Sequence, residues 1–142
     1  MKQLPKIVLG GHRPWREWEY DVICMLAGGI GYGMLEVLWR GYTHISMILT
    51  GGVCLTVICL INRKMKRTPF LLRCLICTAF VTTAEFLVGI LVNRVLHLCV
   101  WDYSDIRFNL LGQICLEFSL IWFLLCLLVS LAMSIAFRKE HL

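Results

Sequence analysis

Four long apolar runs constrain this chain more than anything else in it. A membrane-crossing helix needs about 20 consecutive, mostly apolar residues. Val22–Trp39 is broken only by Glu36, Ile45–Ile61 carries no charge, and Cys74–Val92 is broken only by Glu85. Phe118–Phe137 carries no charge, and the spacing before it predicts a helix that starts near Asn109, giving a fourth span over 110–137. The runs are too long and too continuous for strands of a barrel, which would alternate. Composition agrees: of 142 residues, 59% are hydrophobic and 16% charged. A soluble domain is nearer 45–50% apolar and about 25% charged. Disordered chains, secreted disulfide scaffolds and ordinary cytosolic enzymes are thereby excluded. The expected fold class is all-α: a polytopic integral membrane protein, one transmembrane domain over 1–142, with spans at 22–39, 45–61, 74–92 and 110–137.

The connections are short. Arg40–His44 reads as a tight turn, with Gly41 suited to end a helix. Asn62–Pro69 carries Arg63, Lys64, Lys66 and Arg67, with Arg73 just beyond, and Val95–Phe108 is the one long loop. With the N-terminus in the cytosol, eleven of the fourteen Lys and Arg lie inside and only Arg40, Arg94 and Arg107 outside. That asymmetry follows the positive-inside rule. Both termini are therefore expected in the cytosol and the 95–108 loop outside, in the plasma membrane of a bacterium (its inner membrane). The basic loops lie against anionic lipid, so membrane lipid is the expected partner and nucleic acid is not. Pro14 followed by Trp15–Tyr20 suggests a short interfacial helix before the first span.

Other motifs carry no chemistry. Seven of the eight cysteines sit in or beside spans, where thiols behave as small apolar groups. Cys74 and Cys77 form a C-x-x-C that on a helix is an i, i+3 pair without a second pair or His cluster to complete a zinc site. No metal, cofactor, disulfide framework or catalytic residue is expected. Gly28, Gly29, Gly31 and Gly33 crowd the first span without the βαβ context of a dinucleotide loop. Gly29 and Gly33, with Gly51 and Gly52 on the second span, suit close helix approach instead. No Walker A sequence is present.

The ionisable residues within spans carry the functional signal, because each is costly in lipid. The run Cys74–Ala84 is too short to cross, so Glu85 must lie inside the membrane, and Glu36 lies inside near the outer end. Glu36 and Arg40 are i, i+4, the spacing of a helical ion pair. Glu85, Gly89, Asn93 and His97 recur every four residues, placing Glu85 roughly 12 Å below Asn93. Asn109, Gln113 and Glu117 recur likewise on the expected fourth helix. The cytoplasmic half of the spans reads as nearly free of polar groups. Together these residues predict one polar pocket in the outer half of the bundle. Its ligand-binding candidates are Glu36, Arg40, Glu85, Asn93, Trp101, Asp102, Tyr103, Asn109 and Gln113. The bland alternatives are a neutral Glu85, or its ion pair with Arg40 or Arg94 that fixes helix register, Asn109 as an N-cap, and Trp101 and Tyr103 as an aromatic belt.

Arg40-Gly41-Tyr42-Thr43-His44, the Gly51-Gly52 pair, Glu85, and Trp101-Asp102-Tyr103-Ser104 through Asn109-x-x-Gly112-x-Ile114 resemble the CmpB-like "putative ABC-transporter permease" family. The resemblance runs from about Gly29 to Trp122. It implies a small bacterial membrane protein of four or five spans and assigns no catalytic residues. The family-typical positions here are Glu36, Arg40, Gly41, Glu85, Trp101, Asp102, Tyr103, Ser104, Asn109 and Gly112, whereas Arg107 and Glu117 depart from the pattern. The expected function is a non-catalytic, transporter-like or regulatory membrane subunit with that pocket, acting as a homo-oligomer or with a partner membrane subunit. The alternatives are a membrane-embedded enzyme on lipid or isoprenoid head groups, with Glu85 or Asp102 as base and Arg40 and Arg94 holding phosphate, and a structural or holin-like protein.

Overall fold

A computed structural model describes residues 17–139. It contains four long helices: α1 (Glu17–Arg40), α2 (Ile45–Lys64), α3 (Phe70–Gly89) and α4 (Leu116–Lys139). Each is long and apolar enough to cross a membrane, the third span running on through a π-helical turn, Ile90–Val95, for 26 residues. Most of their large apolar side chains face outward, as expected of helices solvated by lipid. The spans thus agree with the apolar runs, with one exception below. Of the expected interfacial helix, residues 17–20 form the first turn of α1 itself, and Pro14–Arg16 lie outside the described residues.

The α1–α2 pair is held by glycine. In lipid, helices associate through close packing rather than hydrophobic burial. A Cβ on Gly28 would come within 2.5 Å of the Gly51 carbonyl oxygen, and one on Gly52 within 2.6 Å of the Met25 carbonyl oxygen. The contact stripe is therefore Met25–Gly28–Tyr32 against Gly51–Gly52–Leu55. Gly29 and Gly33 rest on Ile48, while Gly31 faces open space. Gly41 closes α1 at φ +80°, its N–H donating to the Val37 carbonyl at 2.8 Å. The His44 ring then accepts from the Ser46 N–H to start α2.

The second pair, α3 and α4, is joined by a loop that folds inward. Here the sequence expectation fails: the fourth helix starts at Leu116, not near Asn109. Asn109–Leu110 (β1) and Ile114–Cys115 (β2) instead form a small antiparallel hairpin, Asn109 opposite Cys115. The cause is local. Leu111 and Gly112 adopt φ +53° and +68°, which ends any right-handed helix there. The Asn109 side chain also takes over backbone partners, accepting from the Gly112 N–H at 3.1 Å and donating to the Ile106 carbonyl at 2.7 Å. Such side-chain bonds compete with helix formation. The helical stripe Asn109–Gln113–Glu117 consequently does not exist, and Glu117 is exposed at the start of α4. The stripe on the third span also ends early. His97 lies beyond the π turn at φ +53° and is exposed.

The basic end is more polar than its sequence suggests. Asn62, 3% exposed, donates to Ser130 Oγ at 3.0 Å and ties α2 to α4. Arg73 is buried beside Phe70. Asp21 and Arg63 pair α1 with α2.

Candidate functional site

The nine candidate residues divide into three arrangements. The first closes the α1–α2 turn. Glu36, 8% exposed, accepts from Arg40 Nη2 at 2.6 Å and from Thr43 Oγ1 at 2.6 Å. Arg40 Nη1 donates to the Val100 carbonyl at 2.9 Å, and its guanidinium lies over the Tyr42 ring. This carboxylate is neutralised by a cation and has a donor on each oxygen, and the ion pair anchors the incoming loop.

The second arrangement is the loop itself. Asn93 Oδ1 accepts from the Val100 N–H at 2.6 Å, while Asn93 Nδ2 donates to Gln113 Oε1 at 2.8 Å. Trp101 is buried, and its indole N–H donates to the Gln113 carbonyl at 2.9 Å. Gln113 Nε2 donates to the Leu111 carbonyl at 3.0 Å. Trp101 is thus an inward plug rather than part of an aromatic belt. Gly89 makes the seat for it: a Cβ there would meet Gln113 Oε1 at 2.6 Å and Trp101 Cζ2 at 2.9 Å.

Asp102 accepts from the Ser104 N–H at 2.9 Å, and also from the Ser104 hydroxyl. These bonds hold its carboxyl below the usual carboxylate range. The Tyr103 N–H donates to the Gly112 carbonyl at 2.8 Å, and Asn109 Nδ2 also reaches the Ser104 carbonyl at 3.2 Å. The W-D-Y-S and N-x-x-G segments are therefore one knot. Gly112 is required at its centre, since a Cβ there would meet Ser104 Oγ at 2.5 Å.

The knot aims Tyr103 down the bundle, and that creates the third arrangement. The Tyr103 hydroxyl lies 3.3 Å from Glu85 Oε1, and Trp122 Nε1 donates to Glu85 Oε2 at 2.8 Å. Tyr103 stacks on Phe118 at 4.7 Å between ring centroids, and Tyr32 on Trp122 at 5.4 Å. Burial first, and then the charge of Glu85, push the Tyr103 hydroxyl above its ordinary range, so it stays a donor. Glu85 is 2% exposed, and among the described residues it has no basic partner. The ion-pair alternative for Glu85 does not hold: Arg40 is engaged with Glu36, and Arg94 donates to the Leu111 carbonyl.

Glu85 stands at one end of a cavity of about 250 Å³. Residues from all four helices line it, and almost all are apolar. Tyr32 and Trp122 lie at the Glu85 end, Ile58 and Val129 farther along. On α1 the rim residues Ala27, Gly31 and Leu35 are exposed on the lipid-facing surface, so the cavity is a lateral cleft. At the basic end Cys24 of α1, Cys59 of α2 and Met133 of α4 share one buried cluster. All eight cysteines are free thiols, and Cys74 and Cys77 are fully buried packing groups.

The structure thus brings Glu85 and Tyr103 to one place, and puts Glu36 and Arg40, and Asn93, Trp101, Asp102, Asn109 and Gln113, into supporting contacts. Sequence reasoning missed Tyr32 and Trp122. An indole well inside an apolar run, away from the interfacial position where tryptophan is common, was the available signal, since a buried indole N–H needs an acceptor.

Four apolar helices with a carboxyl buried among them define a multi-pass membrane protein. A family profile described as "Putative ABC-transporter type IV" matches residues 32–141, and the chain belongs to that family. The match spans Glu36, Glu85, the loop knot and the cleft lining from Tyr32 onward, while the rim residues Ala27, Gly28 and Gly31 precede it. No solved structure matches the chain.

Proposed function

We propose that this protein is a non-catalytic, transporter-like membrane subunit that binds its ligand in the lateral cleft, with Glu85 as the polar contact. One observation carries the reading: a buried carboxyl with only neutral hydrogen-bond partners faces an open intramembrane cavity. A purely structural glutamate would be expected to resemble Glu36, with its charge met by a cation. The remaining polar candidates act by building the knot that places Tyr103 over Glu85. Because a four-helix chain encloses no wide path, the subunit works as a homo-oligomer or beside a partner subunit.

Gly31 supplies the test. A Cβ there meets nothing within 4 Å, so Gly31→Trp brings a bulky ring to the cleft mouth without a clash at its Cβ. Native mass spectrometry of gently extracted protein should show a retained small molecule or lipid on the wild type and its loss from Gly31→Trp, at equal thermal stability. Identical retention in both proteins would defeat the reading.

The same proposal places both termini in the cytosol and the knot outside, on the distribution of Lys and Arg. In a cysteine-free background, Ser104→Cys should react with a membrane-impermeant maleimide in intact cells. Reaction only after permeabilisation would invert the protein.

A further inference from the structure

The chemistry of the cleft narrows what it can hold, granted that the cleft is the ligand site. A carboxylate offers about four acceptor positions. Glu85 spends one on Tyr103 and one on Trp122, and it keeps acceptor capacity on both oxygens. The nearest candidates for a compensating cation are committed elsewhere, Arg40 to Glu36 and Val100, Arg94 to Leu111. Among the described residues, then, what this carboxyl lacks is a positive partner.

The walls add two constraints. Tyr32 and Trp122, stacked on each other, both line the cavity beside the carboxyl, and aromatic rings attract organic cations through their faces. The rest of the lining is aliphatic or thiol, and the Thr50 hydroxyl is already donated to the Ser46 carbonyl. A sugar or other polyol would find too few partners, and an anion would meet Glu85. The volume of about 250 Å³ falls just below the roughly 300–1,000 Å³ of drug-sized sites, so it suits a compact head group. A longer apolar body can continue past Gly31 into lipid.

From this we infer that the cleft binds a lipophilic organic monocation. Its ammonium group sits against Glu85 and the Tyr32–Trp122 pair, and its apolar body lies between α1 and α4. This deepens the proposed function and rests on it.

Two probes of nearly identical shape separate charge from shape: benzyltrimethylammonium and its neutral isostere, neopentylbenzene. Equilibrium dialysis against the full chain in a maltoside detergent should show saturable binding of the cation, with the isostere at least about tenfold weaker, the scale of a desolvated cation–π contact. Glu85→Gln should weaken cation binding at least about tenfold as well, since it removes the charge but keeps an acceptor for Trp122. Gly31→Trp should abolish binding of both probes.

Equal binding of cation and isostere to the wild type, both lost in Gly31→Trp, overturns the cation assignment and leaves the cleft as a ligand site for neutral apolar molecules. Cation binding undiminished in a folded Glu85→Gln overturns the assignment of Glu85 as the counter-charge. Absence of saturable cation binding in the wild type overturns the inference outright. If Gly31→Trp also leaves copurifying molecules unchanged, the proposed function falls with it. The probe pair decides on the wild-type chain alone, even where a variant fails to fold.

Discussion

Glu36 and Glu85 are both glutamates inside membrane spans and both are buried, yet the fold treats them oppositely. Glu36 has a cation at the i+4 position and a threonine hydroxyl on its other oxygen, and it does not line the cleft. Glu85 has two neutral aromatic donors and an open cleft. Burial of an ionisable group in a membrane is therefore not by itself a sign of a binding site. What separates a strut from a site is whether the compensating charge is built in and whether space remains next to the carboxyl.

The sharpest way to break this contrast is to give Glu36 the situation of Glu85. Arg40→Met strands the Glu36 carboxylate and also releases the Val100 carbonyl. Losing one member of a buried pair should cost about 3 kcal/mol or more in unfolding free energy. Adding Glu36→Gln should recover most of that loss. Thermal unfolding in detergent, followed by circular dichroism, measures both, and an unchanged melting point in Arg40→Met would erase the distinction between the two glutamates.

A middle-sized effect tests the loop that delivers Tyr103. Asn93→Leu removes the acceptor of the Val100 N–H and the donor to Gln113, leaving buried polar groups unmet at about 1–3 kcal/mol. Amide exchange at Val100 and Trp101 should quicken while the α1–α2 pair keeps its protection. Equal exchange in both proteins would show that the knot stands without Asn93.

The smallest stability effect belongs to Glu85 itself. In Glu85→Gln the amide oxygen can still accept from Trp122 and the amide nitrogen can donate to the Tyr103 oxygen, so unfolding should shift by less than about 1 kcal/mol. Retention of a bound molecule should nevertheless be lost. A large drop in melting temperature would instead make Glu85 a strut like Glu36. Full stability with full retention would leave it a packing residue.

Legibility in the sequence followed the range of the interactions. The junction between the first two spans, the Gly41 turn and the Glu36–Arg40 pair all depend on residues within about one helical turn of each other, and the sequence alone was enough to place them. The close α1–α2 approach was legible as a cluster of small residues, although its register, Gly28 on Gly51, was not. The polar stripe of the fourth span was misread because i, i+4 spacing is compatible with a helix but does not demand one. Asn109 and Gly112 carried the opposing turn signal.

The amino-acid sequence by itself determined that this chain crosses a membrane four times and must bury two glutamates in doing so, since run length, hydropathy and charge are local sums. Only the tertiary structure decided which glutamate faces a cavity. The donors to Glu85 lie 18 and 37 residues along the chain, on an inward-folded loop and on another helix. Their meeting depends on how α4 is entered and how the knot seats on Gly89, which no local pattern encodes. A carboxyl's role in lipid is set by the groups that converge on it, and convergence is a property of packing.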